Sequence, residues 1–174
     1  TSIIERLTWD KRGCFVGKLN FKKMRVVIQR VTNASVSIGG KIKGKIGKGF
    51  MILVGIVEED NEKDIEWLSK KIVNLRVFDD ENGVMNRSIK DVGGDILLVS
   101  QFTLHAMTAK GNRPSYIRAA KPDFSKGFYD SFVNAVEIEL GKPDSQVHFH
   151  SLRLKRWKSL YYFQELTDVE LRLS

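Results

Sequence analysis

An almost unbroken apolar run, FMILVGIV at residues 50–57, limits what this chain can fold into. A strand with one face in water alternates apolar and polar residues, so a run without alternation predicts a strand that is buried on both faces. A second run, ILLV at residues 96–99, predicts another buried strand that continues through residue 104. The chain has 174 residues, of which 42% are hydrophobic, which is enough for one domain and too few for a second.

Three further strands are predicted before the first apolar run. Residues 24–31 are rich in β-branched side chains, residues 34–38 alternate small or polar with apolar ones, and residues 41–46 alternate lysine or glycine with isoleucine. The two glycines between the second and third of these strands are typical of a hairpin turn. Residues 1–23 show no period of 2 or 3.6, so we expect an irregular extension there.

Two helices are predicted later in the chain. Apolar residues recur at steps of three and four between residues 60 and 75, which predicts an amphipathic helix with Asn61 as its N-cap. A second helix is predicted from Asp123 to Leu140, because an apolar residue recurs at every fourth position and Gly141 is placed to end it. Helices and strands do not alternate regularly, which predicts a single-domain α+β fold with a mainly antiparallel sheet. A Rossmann arrangement is disfavoured, since no glycine-rich phosphate loop follows a strand.

The net charge of +8 permits a nucleic-acid partner without demonstrating one. Much of the excess lies at the ends, with +4 in residues 1–23 and +2 in residues 141–174, and a solvated basic surface is the more frequent explanation. No apolar run is long enough to cross a membrane, and the start lacks the order of a signal peptide, so a soluble cytoplasmic protein is expected. The single cysteine, Cys14, cannot form an internal disulfide, which suits a reducing compartment.

Four residues that follow the second apolar run can contact a ligand: Ser100, Gln101, Phe102 and Thr103. The end of a buried strand is a rigid place from which backbone amides and hydroxyls can be presented. The alternative is a strand that simply emerges into solvent. Spacing alone does not decide between the two interpretations.

Five separated segments carry a family resemblance. They are MRVVIQRV with ASV at residues 24–36, LVGI at 53–56, KIVNLRVF at 71–78, SQFTL at 100–104 and KGNRPS at 110–115. In this order they resemble the D-aminoacyl-tRNA deacylase family. The resemblance implies that residues 24–141 form a barrel-like deacylase domain with two principal helices. This domain lies between the extension 1–23 and an atypical C-terminal segment 142–174.

The resemblance implies hydrolysis of the ester that joins a D-amino acid, or glycine mischarged on tRNA-Ala, to the terminal ribose of tRNA. It implies chiral proofreading in translation by a cytoplasmic homodimer that binds the acceptor end of aminoacyl-tRNA and needs no cofactor or metal. Such an ester is already reactive. The enzyme therefore mainly has to hold the ester beside water and stabilise the oxyanion that develops.

Site residues follow from the same resemblance. The main chain of Phe102 and Thr103 would stabilise the oxyanion, and Ser100 and Gln101 would shape the adenosine end of the pocket. The Thr103 hydroxyl has no obvious general base beside it in sequence, so the main-chain role is preferred over a nucleophilic one. Arg30 matches a family arginine that braces the chiral pocket. The loop residues expected to contact phosphate or the acceptor end, with a solvated turn as the alternative, are Lys110, Asn112, Arg113 and Pro114.

The chain departs from the family near its C-terminus. The family excludes L-amino acids with a cis Gly-Pro pair that projects into the partner subunit's pocket. No Gly-Pro pair exists here, since the three prolines follow Arg113, Lys121 and Lys142. The hypothesis is that residues 142–174 come from an altered reading frame, a retained intron or another splice form. Within them, residues 169–173 alternate as in a strand.

Other functions stay open at this point. A non-catalytic tRNA- or RNA-binding relic is favoured by the missing Gly-Pro pair and by tail aromatics that could stack on bases. A metal-dependent hydrolase would use His148 and His150, on one side of a strand, but no acidic or cysteine cluster completes the set. A triad of Ser100 and His105 lacks the Gly-x-Ser-x-Gly elbow.

Overall fold

The structure, a computed structural model, describes residues 4–9, 14–19, 23–38, 40–109, 112–141, 147–150 and 169–173. Its strands are β1 (Ile4–Trp9), β2 (Cys14–Leu19), β3 (Arg25–Val31), β4 (Ala34–Ile38), β5 (Lys41–Ile46), β6 (Gly49–Gly55), β7 (Phe78–Asp79), β8 (Met85–Arg87), β9 (Asp95–Ser100), β10 (Val147–His150) and β11 (Val169–Leu173). Its α-helices are α1 (Glu62–Val73) and α2 (Pro122–Leu140). A single 3₁₀ turn, Phe102–His105, follows β9.

The strands form a six-stranded sheet, a three-stranded sheet and a two-stranded ribbon. The order in the largest sheet is β1-β2-β3-β6-β9-β10, and the smaller ones have the orders β11-β4-β5 and β7-β8. Among the described strands, only β6 with β9 and β9 with β10 pair in parallel. The predicted α+β fold with a mainly antiparallel sheet and two helices is therefore confirmed, as is the strand expected at the end of the chain.

Strand β6 is buried on both faces, as its apolar run predicts. Phe50 and Ile52 are fully buried in a core shared with α1 and α2. Met51, between them, belongs to a second core that includes Val36 of β4 and Leu97 of β9. Because alternate residues of a strand point to opposite faces, one strand connects the two cores.

The helix caps lie where the sequence places them. The Asn61 side chain accepts a hydrogen bond from the Lys63 N–H at 3.1 Å, and the Asp64 carboxylate accepts one from the Asn61 N–H at 3.0 Å. Helix α2 begins at Pro122, one residue earlier than predicted, because the missing N–H of proline costs nothing in a first helical turn. It ends at Gly141, whose φ of 71° is the left-handed conformation that favours glycine.

Two predictions are corrected by the structure. The expectation of an irregular segment at residues 1–23 is wrong for β1 and β2, which pair with each other and extend the sheet beside β3. Pairing uses backbone groups, so a sequence without a period can still join a sheet edge. The strand expected to run through residue 104 ends at Ser100. The neighbouring strand β6 ends at Gly55, one residue beyond the partner of Ser100, so β9 has almost no strand to pair with after Ser100.

A buried carboxylate, Asp60, joins the start of β3 to the loop before α1. It accepts hydrogen bonds from the Met24 N–H at 2.6 Å and from the Val57 N–H at 2.8 Å. Burial raises the pKa of this carboxyl to about 6, although the two N–H donors oppose the change. The folded protein therefore holds a proton on Asp60 in a pH range where the unfolded chain has released it.

We expect the free energy of unfolding to fall as the pH rises from about 4 to above 6, relative to that of an Asp60→Asn variant. The pKa of Asp60 is higher in the folded protein than in the unfolded chain. The favourable contribution of Asp60 to the free energy of unfolding is therefore complete below the unfolded pKa and is lost as the pH rises through about 6. Urea unfolding of both proteins across this range measures the difference. Equal pH slopes in the two proteins would contradict the assignment to Asp60.

Candidate active site

The turn after β9 begins beside the end of β6. Ser100 is the last residue of β9, and its Cα is paired with that of Val54. The N–H of Gln101 donates to the Val54 carbonyl at 2.7 Å, and the chain then leaves the sheet in the 3₁₀ turn. The four residues singled out in the sequence thus lie together at the carboxyl ends of two parallel strands.

Two main-chain N–H groups of this turn have no acceptor among the described residues. Inside the turn, the Leu104 N–H donates to the Gln101 carbonyl at 3.3 Å. The Ala106 N–H donates to the Thr103 carbonyl at 3.0 Å. The N–H groups of Phe102 and Thr103 precede these donors, and neither donates to another residue in the described part of the chain. Adjacent N–H groups of this kind can stabilise an oxyanion.

The Thr103 hydroxyl is engaged by a neighbouring side chain rather than by a base. The amide Nε2 of Gln101 donates a hydrogen bond to Thr103 Oγ1. No carboxylate or imidazole of the described residues is bonded to this hydroxyl. A threonine without a base is a weak nucleophile, so the geometry favours a main-chain role for this residue.

The far end of the 3₁₀ turn is held against the sheet by two contacts. Arg25 Nη1 donates to the Leu104 carbonyl at 2.8 Å. On the sheet beneath, a Cβ added to Gly55 would lie 2.9 Å from Leu104 Cβ and 3.0 Å from the His105 ring, so only glycine allows this close approach. Arg25 was not predicted from the sequence, in which its one signal is a charge at the start of an otherwise apolar strand.

His105 is buried under the turn and is not part of a catalytic triad. Its side chain is 1% exposed. Neither ring nitrogen forms a hydrogen bond with Ser100 or with any other described residue. Burial lowers the pKa of the imidazole, the adjacent Gly55 backbone opposes this, and the charges of Arg25 and Arg118 lower the pKa further. The ring is therefore neutral at physiological pH, and the triad considered from the sequence is absent.

Comparisons with known proteins decide the family. A sequence model described as D-Tyr-tRNA(Tyr) deacylase matches residues 27–152. This chain belongs to that deacylase family. The D-aminoacyl-tRNA deacylase of Parabacteroides distasonis is 62% identical over 120 residues, which are 69% of this chain and 80% of that protein. The D-aminoacyl-tRNA deacylase of Flavobacterium psychrophilum is 61% identical over 119 residues, which are 68% of this chain and 79% of that protein.

Two solved structures share the fold of this deacylase family member. The c-Myc DNA Unwinding Element Binding Protein has a TM-score of 0.71 and 33% sequence identity, and the match covers 86% of this chain and 90% of that chain. A probable eukaryotic D-amino acid tRNA deacylase has a TM-score of 0.66 over 87% of this chain and 93% of that chain. Its sequence identity is 15%, so that likeness concerns the fold alone.

Within one chain of this deacylase family member, Arg30 lies away from the 3₁₀ turn. Its guanidinium donates to the Val77 carbonyl and, at 3.2 Å, to the Asp79 carboxylate. Along β3 it stands four residues beyond Val26, which is level with Ser100 in the sheet. At the usual rise of a strand this is about 13 Å. The structure therefore does not bring Arg30 to the Ser100 group, and its substrate-binding role stays a prediction.

The loop after the 3₁₀ turn returns beside it. Met107 and Ser115 exchange main-chain hydrogen bonds at 2.8 and 2.9 Å. The rings of Phe102 and Tyr116 meet edge to face with centroids 5.2 Å apart, which ties the loop to the turn. Lys110 lies outside the described residues. The loop residues that are described are all exposed: Asn112, Arg113 and Pro114.

His148 and His150 lie on β10, which confirms the strand, while their side chains are outside the described part. Among the residues whose side chains are described, no group of three His, Cys, Asp or Glu residues could hold a metal ion. No helix in the described ranges is long and apolar enough to cross a membrane. The family match continues beyond Gly141 to residue 152, and the segment limits at 23 and 141 stay predictions.

Proposed function

We propose that this chain hydrolyses the ester between a D-amino acid and the terminal ribose of tRNA, releasing the free D-amino acid and tRNA. The observation that carries the proposal is the pair of N–H groups of Phe102 and Thr103 just after β9, which have no acceptor in the described ranges. Membership of the deacylase family and 62% identity to a D-aminoacyl-tRNA deacylase support the reaction class. Glycine mischarged on tRNA-Ala is a second proposed substrate.

The chain has little covalent chemistry to perform, because an aminoacyl ester is already reactive. A water oxygen attacks the ester carbonyl carbon, and the carbonyl oxygen becomes an oxyanion that the Phe102 and Thr103 N–H groups stabilise. The bond from that carbon to the ribose oxygen then breaks, and the ribose oxygen receives the proton lost by the water, with the neighbouring ribose hydroxyl assisting. Loss of one oxyanion donor typically lowers the rate by about 10² to 10³.

Recognition of the tRNA end is assigned to groups around the same turn. Ser100 is half-buried at the strand end, and Gln101 lies next to it, so both can border the terminal adenosine. Asn112 and Arg113 are exposed on the loop that packs beside the turn, where a cation can reach a backbone phosphate. Lys110 is proposed for the same contact. We propose further that the protein acts as a cytoplasmic homodimer in chiral proofreading of translation, with Arg30 contributing to the pocket.

The test is release of amino acid from D- and L-tyrosyl-tRNA by the purified chain, with the Parabacteroides distasonis relative as positive control. Release of D-tyrosine supports the proposal. If the relative is active and this chain is not, hydrolysis by this chain is ruled out. A version of this chain whose tail carries the family's Gly-Pro segment is assayed in parallel. Activity only in that version would indicate a deacylase body that its tail disables, whereas selective cleavage of the D form by the original chain would show that selectivity does not need Gly-Pro.

A Thr103→Ala variant is expected to keep its deacylation rate within about threefold of the wild type. The reason is that the side-chain hydroxyl is removed while the main-chain N–H remains, and the N–H is the group assigned to the oxyanion. Single-turnover hydrolysis of D-tyrosyl-tRNA measures the rate, and circular dichroism checks the fold. A folded variant that has lost activity by about a hundredfold or more, the usual effect of losing a catalytic group, would make the hydroxyl essential.

Nucleic-acid binding without hydrolysis is a second candidate, favoured by a basic strand. Three lysines of β5 are exposed: Lys41, Lys43 and Lys45. A structural relative at 33% identity is named as a DNA unwinding element binding protein. Binding of uncharged tRNA or duplex DNA that weakens steeply with salt, without release of D-tyrosine, would favour this function over the first.

A further inference from the structure

We propose that Arg25 is a positioning residue that orients the 3₁₀ turn so that the Phe102 and Thr103 N–H groups point into one site. This inference rests on the proposed hydrolysis for its effect on rate. Its structural part, the orientation of the turn, can be tested without any substrate.

The sheet register places Arg25 directly beneath the turn. It is the first residue of β3, and its Cα is paired with that of Gly55, the last residue of β6. Gly55 in turn lies against the Leu104 side chain. From this position the guanidinium spans to the Leu104 carbonyl, with an N–H···O distance between heavy atoms of 2.8 Å.

The turn is held at both ends, and a hydrogen bond from the Arg25 side chain contributes at the far end. At the near end, the Gln101 N–H is bonded to the Val54 carbonyl at 2.7 Å. At the far end, the Arg25 guanidinium holds the Leu104 carbonyl. The bond inside the turn, from the Leu104 N–H to the Gln101 carbonyl, is long at 3.3 Å and fixes the direction poorly. Two ties on either side of Phe102 and Thr103 therefore set where their N–H groups point.

The bond from Arg25 is charge-assisted and partly shielded from water, which makes it the stronger of the ties. Hydrogen bonds from a guanidinium are roughly twice as strong as those between neutral groups. The other charged groups near the turn are Arg118, which lowers the pKa of the His105 imidazole, and Glu59, which raises it. The Leu104 carbonyl accepts its hydrogen bond from Arg25. Lysine at position 25 would keep the charge and lose the rigid planar fork.

The experiment compares Arg25→Ala and Arg25→Lys with Arg76→Ala as the matched control. Arg76 also donates to a main-chain carbonyl, that of Asn86 at 2.7 Å, and it is exposed away from the turn. Amide hydrogen exchange at Leu104 and Ala106 reports the orientation of the turn, and steady-state deacylation of D-tyrosyl-tRNA reports kcat and KM. Thermal unfolding of each variant shows whether it is folded.

In Arg25→Ala we expect exchange at Leu104 and Ala106 to accelerate about tenfold, and kcat to fall about tenfold to a hundredfold with KM within about twofold. Arg25→Lys should recover part of both losses, and Arg76→Ala should match the wild type. Unchanged exchange in folded Arg25→Ala would overturn the positioning role whatever the activity. Faster exchange in a chain whose wild type does not hydrolyse D-tyrosyl-tRNA would uphold the positioning role and reject the proposed function.

Discussion

Replacing Gly55 by alanine is expected to lower the rate of D-tyrosyl-tRNA hydrolysis by about a hundredfold while the protein stays folded. The added Cβ would lie 2.9 Å from Leu104 Cβ, closer than such atoms approach in proteins. Leu104 Cβ is attached to the main chain, so the 3₁₀ turn itself has to move away from the sheet. The Phe102 and Thr103 N–H groups move with it, and a misplacement of about 1 Å is enough for a loss of this size.

The matched control for Gly55→Ala is Gly127→Ala. Gly127 lies in α2, and a Cβ there would meet nothing within 4 Å. Alanine is the better helix former, so this variant should keep wild-type activity and gain up to about 1 kcal/mol in stability. Wild-type rates in both variants would show that the contact between Gly55 and Leu104 does not set the active turn, and a crystal structure of Gly55→Ala would show where the turn stands.

Replacing Gly49 by alanine is expected to cause a large loss of stability. The new Cβ would lie 1.9 Å from the Asp95 carbonyl oxygen and 2.7 Å from the Asp95 nitrogen. Both are main-chain atoms, so β9 has to separate from β6 at the start of their parallel pairing. Overpacking of this kind costs about 3 kcal/mol, a large part of the stability of a typical domain.

Urea unfolding of Gly49→Ala and the wild type measures this loss. The Gly127→Ala variant again serves as control, because it makes the same chemical change where space is free. A midpoint for Gly49→Ala equal to that of the wild type would mean that β6 and β9 are further apart at this level than the structure has them. The two substitutions in β6 are thus expected to affect different properties: Gly49→Ala lowers the stability, and Gly55→Ala moves the 3₁₀ turn.

Several features of the fold were predictable because they depend on residues close together in sequence. The apolar run at residues 50–57 predicted a strand buried on both faces, and both cores confirm it. Asn61 and Gly141 cap their helices as predicted, because a cap is decided by one side chain and the backbone within four residues of it. The buried strand at residues 96–99 was predictable from its apolar run, whereas the 3₁₀ turn at Phe102–His105 was not.

The family could also be recognised from the sequence alone, since five short segments stand in a fixed order. Their order indicates the reaction class, and the family match confirms the family. The segments do not show how far apart their residues lie in the folded protein. Arg30 was expected at the site. It lies four residues along β3 from the level of Ser100 and is hydrogen-bonded to Val77 and Asp79.

The sequence by itself determined the helices, the buried strands and the family, all of which follow from local periodicity or from short motifs. Only the tertiary structure decided that Arg25, Gly55 and Leu104 meet, that residues 4–19 include strands at the sheet edge, and that His105 is buried and neutral. The physical reason is strand register. A shift of one residue between β3, β6 and β9 would bring different side chains to the turn without altering the period of any strand.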